Sequence, residues 1–107
     1  MKINAQYNRS FKGLNLAKVT RKEDMKRVIK PCLKELRELA KKADIELESS
    51  SVMQEFEHYR TPRPALNISV IPFITLNAKA AISKYSMPLT DKNIKSRNLL
   101  RLIRESV

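Results

Sequence analysis

The densest run of reactive side chains is Glu55-Phe56-Glu57-His58-Tyr59-Arg60, which gathers carboxylates, an imidazole, a phenol and a guanidinium. A metal-free ribonuclease uses such groups to move protons and hold phosphate, here centred on Glu57, His58 and Arg60. Neighbours in sequence need not converge in space, and the plainer expectation is an exposed strand or loop with ordinary charges. The single cysteine and single histidine, Cys32 and His58, form a conceivable nucleophile–base pair. Cys32, however, lies on an apolar stripe between Ile29 and Leu36, where a thiol acts as a small hydrophobe. Glu46 with Glu48, and Glu55 with Glu57, are spaced to share a strand face, as expected of a solvated acidic edge that deters strand-to-strand aggregation. No catalytic, metal or cofactor residue is assigned.

A second pattern concerns binding. Lys22, Lys26, Lys30 and Lys34 fall four apart, so on a helix they form one ridge, flanked by Arg27, Arg37, Lys41 and Lys42. Like charges at that spacing cost a few tenths of a kcal/mol per pair, and Glu23 to Arg27 and Lys34 to Glu38 offer only partial relief. Such a ridge suits a phosphate backbone, although a solvated lysine face is common. Arg101 and Arg104, near the C-terminus, are candidates to assist.

Composition narrows the field. The 107 residues carry 22 Lys and Arg against 11 Asp and Glu, a net charge of +11, which raises the local concentration of any polyanion. One glycine cannot build a glycine-rich phosphate loop. One cysteine and one histidine cannot supply a usual zinc site or a disulfide framework. No run reaches the ~18 continuous apolar residues of a membrane span, and Met1 to Ser10 lacks the apolar core of a signal peptide. The default expectation is a cytoplasmic protein.

The elements that must position these groups follow from periodicity. Residues 1–10 read as a flexible N-terminus and 11–107 as a single α+β domain. Phe11 to Val19 alternates as a short strand. A long helix spans about 21–43, opened by a Thr20–Glu23 capping box. Its apolar stripe comprises Met25, Val28, Ile29, Cys32, Leu33, Leu36, Leu39, Ala40 and Ala43. Pro31 predicts a kink near Arg27 to Lys30, and the stripe keeps its phase across it. Asp44 to Glu48 alternates as a strand, Ser49 to Ser51 reads as a turn, and Val52 to Tyr59 is ambiguous. Thr61-Pro62-Arg63-Pro64 must be extended, and Leu66, Ile68 and Val70 make the clearest strand, stopped near Pro72. Phe73 to Tyr85 can start as a strand and end as a short helix around Ala78 to Lys84. Thr90 and Asp91 open a C-terminal helix, about 91–106, that buries Leu99, Leu102 and Ile103. The expected architecture is two helices packed on a sheet of three or four strands.

The order helix, three strands, helix over residues 20–107 resembles the double-stranded-RNA-binding domain in topology. That domain's strand-region glycine and Lys-Lys-x-Ala-Lys run are absent. In size, charge and residue types the chain is also similar to small basic bacterial toxins that cut RNA on the ribosome, without their glycine- and arginine-rich strand motif. Phe11-Lys12-Gly13 resembles the Phe-Lys-Gly N-termini of some uncharacterised bacterial proteins, which implies no activity.

The charge is segregated. Residues 1–43 hold 13 basic and 4 acidic side chains, residues 44–75 hold 2 and 5, and residues 76–107 hold 7 and 2. The acidic middle can pair with a basic helix of the same chain or of a second copy, which leaves homodimerisation open. The expectation is a non-enzymatic basic module that contacts a polyanion, nucleic acid first, through Lys22, Lys26, Lys30, Lys34, Arg101 and Arg104. The aromatics available to stack on bases are Phe11, Phe56, Tyr59, Phe73 and Tyr85. The alternatives are an adaptor or effector that meets an acidic protein, and the small ribonuclease-like toxin.

Overall fold

A computed structural model describes residues 13–73 and 82–107, with the side chain of Phe56 set aside. The expected flexible N-terminus, Phe11 and the expected helical residues 78–81 lie outside them. The order of elements begins with strand β1 (Leu14–Lys18), followed by a helix, α1, in three stretches (Asp24–Ile29, Lys30–Cys32 and Leu33–Leu39). Strands β2 (Ala43–Phe56), β3 (Tyr59–Pro72) and β4 (Ser83–Pro88) come next, then helices α2 (Asp91–Lys95) and α3 (Asn98–Arg104). The sheet order is β1-β2-β3-β4, with β1 parallel to β2 and the other pairs antiparallel. This is the expected α+β domain of helices on a sheet.

Pro31 explains the three stretches of α1. It has no N–H to offer the Arg27 carbonyl, and its ring crowds that oxygen in an α-helix. The chain answers with a wide π turn over Asp24–Ile29, closed by the Lys30 amide donating to the Met25 carbonyl, and a tight 3-10 turn over Lys30–Cys32. Cys32, at φ −110°, marks the break before the final α-helical stretch. The helix thus leaves α geometry where the sequence predicts a kink, but it ends at Leu39, and Ala43 is the first residue of β2 rather than the last of the helix.

One face of the sheet holds the core. Ile29 and Leu36 from α1, Ile45 and Leu47 from β2, Leu66, Ile68 and Val70 from β3, Met87 from β4, and Leu99 and Ile103 from α3 are buried together. Truncating such a side chain to alanine costs about 2–5 kcal/mol. Gly13 enters β1 at φ +89°, the left-handed region that favours glycine, and there its carbonyl accepts from the Ile45 amide at 2.7 Å.

Four expectations are corrected. The Thr20–Glu23 capping box does not form, because the Thr20 amide donates to Ser49 Oγ at 3.0 Å instead. Ser49 to Ser51 are not a turn but the middle of β2, where cross-strand partners Leu66, Ala65 and Pro64 hold them extended. Ser83 and Lys84 belong to β4, not to a helix. The C-terminal helix divides in two, since Arg97 sits at φ +53°, outside helical geometry. Its start is as expected, with Thr90 Oγ1 accepting from the Asn93 amide at 3.1 Å.

Candidate polyanion-binding surface

The ridge lysines are set by a polar pin at the start of α1. Asp24 is only 3% exposed. Its carboxylate accepts from Arg21 Nε and from Ser49 Oγ, both at 2.8 Å. Ser49 Oγ in turn accepts the Thr20 and Arg21 amides, and Arg21 Nη2 donates to the Ala65 carbonyl at 2.8 Å. Amides that would be left open before the first turn are satisfied from the sheet, and the buried charge is paired. The first turn of α1 is thereby fixed over β2 and β3.

On this base Lys22, Lys26 and Lys30 line one open groove of about 420 Å³, together with Val19, Thr20, Arg21 and Met25. All three lysines are exposed, as is Lys34. The wide turn matters here. In an α-helix residues four apart overshoot a full turn of 3.6 residues, whereas i→i+5 bonding takes more than four residues per turn. The ridge therefore does not run straight: Lys22, Lys26 and Lys30 gather at the groove, while Lys34, beyond the 3-10 turn, is not part of its lining.

All 11 acidic side chains of the protein lie among the described residues. Among these residues, none comes within 4.0 Å of the ammonium group of Lys22, Lys26, Lys30 or Lys34; the ion pairs use other cations. Neither helical relief expected for the ridge is made. Arg27 pairs with Asp91 at 3.5 Å rather than with Glu23, and Glu38 pairs with Lys41 at 3.2 Å rather than with Lys34. Arg21 differs from its lysine neighbours, being engaged by Asp24 and the Ala65 carbonyl.

Arg101 and Arg104 are exposed on α3, and neither lines the lysine groove. Arg97–Glu35 at 3.3 Å and Arg27–Asp91 tie α2 and α3 to the flank of α1 that carries Arg27 and Glu35. Arg101 is held by Glu105 at 3.3 Å and by Asn98 Oδ1 at 2.6 Å. Arg104 lies near Cys32: burial pushes that thiol above the ordinary cysteine range, while the charges of Arg97 and Arg104 pull it partway back. The structure does not merge these arginines with the lysines into one groove.

The remaining candidates separate. Cys32 is buried in the core and His58 is exposed at the β2–β3 turn, so they form no dyad. Glu57, His58 and Arg60 are all exposed around that turn, and Arg60 is spent on Glu55 at 3.2 Å. Tyr85 packs against the core with its hydroxyl 2.7 Å from Ser106 Oγ, while Tyr59 and Phe73 are exposed. Phe11 and the side chain of Phe56 lie outside what is described.

The other face of the sheet carries the acidic middle of the chain. Glu46 accepts from Asn15 Nδ2 at 3.1 Å and lies 3.7 Å from Lys18 Nζ. Glu48 accepts from Asn67 Nδ2 at 3.2 Å, and Asp44 accepts the Gly13 amide at 2.8 Å. No helix among the described residues is long and apolar enough to cross a membrane, and no group of three or more Asp, Glu, His or Cys among them is placed to hold a metal ion. No protein-family model, curated protein or solved structure matches the chain.

Proposed function

We propose that the protein is a non-enzymatic binding module that takes a polyanion, nucleic acid in the first instance, on the groove lined by Lys22, Lys26 and Lys30. One observation carries the proposal: these lysines converge on a single groove while no carboxylate in the described residues neutralises them. Unneutralised ammonium groups on a concave surface attract phosphates, and the counterions they release make binding weaken as salt rises. Lys34 extends the basic surface along α1, while Arg104, at the end of α3, stays apart from the groove. Among the described residues no base-reading element accompanies these cations, so binding is expected to ignore sequence.

The succession of helix, three antiparallel strands and helix is compatible with this role. An order of elements, however, does not carry an activity.

The test is fluorescence anisotropy with labelled RNA and DNA across a salt series. The wild type is compared with a variant carrying Lys22→Glu, Lys26→Glu, Lys30→Glu and Lys34→Glu. Steep salt dependence in the wild type and loss of binding in the variant are expected. Nucleic acid left unbound at low salt would remove this reading and direct the search to an acidic protein partner.

A further inference from the structure

Strands β2 and β3 pair along their whole length, from Ala43 with Pro72 to Phe56 with Tyr59. Their neighbours stop early. β1 reaches only Glu48 on one side, and β4 begins its pairing at Ala65 on the other. Residues 51–64 therefore form a two-stranded arm beyond the body of the sheet. Such a ribbon is marginal in water by itself. Met53 and Tyr59 on it are 57% and 70% exposed.

The two edges of the arm are not alike. The Leu89 amide donates to the Pro64 carbonyl at 2.9 Å, so Pro64 turns its backbone toward the outer edge of β3, and Pro62, two residues back, does the same. Neither has an N–H, and that edge is closed to a further strand. On β2 the Ile45 amide donates outward to the Gly13 carbonyl. The same parity turns the amides and carbonyls of Ser51, Met53 and Glu55 outward, and among the described residues nothing pairs with them. The free edge runs from Ser50, past the end of β1, to Phe56, before the turn at Glu57 and His58. Its middle residue is Met53.

We infer that the β2 edge of the arm is a self-association surface, on which a second copy of this chain adds its own β2 antiparallel about a two-fold axis at Met53. The position of the axis follows from the length of the free edge. Centred on Met53, Phe56 of each copy falls level with Ser50 of the other, the first residue of the free edge, so the bodies lie at opposite ends. Met53 has the outward-bonding parity, so it meets Met53 of the second copy as a doubly bonded pair. Ser51 then faces Glu55, for about six added backbone hydrogen bonds. No like charges stand opposite one another, and Glu55 keeps its Arg60 partner.

Charge favours a second copy over other occupants. The chain carries +11, yet the arm holds two acidic and two basic residues, Glu55, Glu57, Arg60 and Arg63. It is a place where two such chains can touch without repulsion, and it offers a polyanion no excess of cations. This surface is independent of the lysine groove.

Sedimentation velocity over a concentration series in high salt, which screens the repulsion between bodies, tests the inference. The wild type is expected to show a reversible, concentration-dependent dimer. Met53→Pro removes an outward donor without touching a β2–β3 bond and is expected to give a monomer of unchanged circular dichroism. Should that variant fail to fold, cysteine cross-linking decides. Met53→Cys would place two thiols across the axis, where the roughly 5.5 Å Cα separation of a doubly bonded pair allows a disulfide. Gln54→Cys would not, and Cys32 is buried. A wild type that stays monomeric at every concentration, or a dimer that cross-links equally through both positions, would overturn the inference. A monomer with the Ser51, Met53 and Glu55 amides protected from exchange would do the same, pointing to coverage by the chain itself.

Discussion

The two faces of this small protein treat charge in opposite ways. On the open face of the sheet the carboxylates of Asp44, Glu46 and Glu48 each have a partner: the Gly13 amide, Asn15 with Lys18, and Asn67. On the helical side Lys22, Lys26, Lys30 and Lys34 stand exposed without a carboxylate within 4.0 Å among the described residues. Exposed ion pairs contribute about 0–1 kcal/mol each, so neither pattern decides whether the chain folds. What differs is availability. Charges engaged by neighbours are already partly satisfied, whereas the lysines retain their attraction for an external anion.

Substitutions separate the two faces, and the strongest response is expected at the lysines. If each of the four lysines contacts one phosphate, raising salt from 50 to 200 mM should weaken wild-type binding about 100-fold, and the fourfold Lys→Glu variant should lose that dependence. Anisotropy measures both. Thermal melting should show the variant as stable as the wild type or slightly more so in low salt, since like-charge contacts four apart are replaced by other like-charge contacts. A collapse in stability would mean that the lysines hold the fold and would blur the contrast between faces.

Next in size is Ser49→Ala. It leaves the Thr20 and Arg21 amides and the buried Asp24 carboxylate each short of a partner, at a cost of about 1–3 kcal/mol in urea unfolding. Because the pin fixes the first turn of α1, this variant should also weaken polyanion binding more than its charge, which is unchanged, would suggest. Glu46→Gln combined with Glu48→Gln should cost no more than about 1 kcal/mol and leave binding intact or slightly tighter, because it removes only negative charge from the far face. Smallest of all, Arg101→Gln should change affinity little, since that guanidinium is already held by Glu105 and Asn98.

Much of this architecture was legible from residue spacing. The apolar stripe through Ile29, Cys32 and Leu36 identified the helix, Pro31 located its departure from α geometry, and Leu66, Ile68 and Val70 identified the central strand. The lysine ridge was visible, but its shape was not. On an α-helix the four lysines would follow one slowly spiralling ridge, whereas the π turn that accommodates Pro31 leaves three of them at one groove. The long hairpin escaped notice for a related reason. Ser49 to Ser51 have the composition of a turn, yet Ser49 is a tertiary acceptor for residues nearly 30 positions away, and no glycine or asparagine marks the real turn at Glu57 and His58. The capping box failed for the same cause, since Ser49 took the amide that Thr20 and Glu23 were expected to satisfy locally. Arg101 and Arg104 were grouped with the lysines on charge alone, and charge in a sequence does not say which flank of a neighbouring helix it will occupy.

Whether the unpaired lysines at the start of and along α1 bind polyanion can be read by titrating ¹⁵N-labelled protein with a short RNA or DNA duplex and following the backbone amide spectrum. Shifts are expected to cluster at Val19 to Lys30, with β2 residues Asp44 to Glu48 unmoved and the changes reversed by added salt. Shifts centred on the acidic sheet face or on the arm at Met53 to Tyr59, or no shifts at low salt, would contradict that expectation.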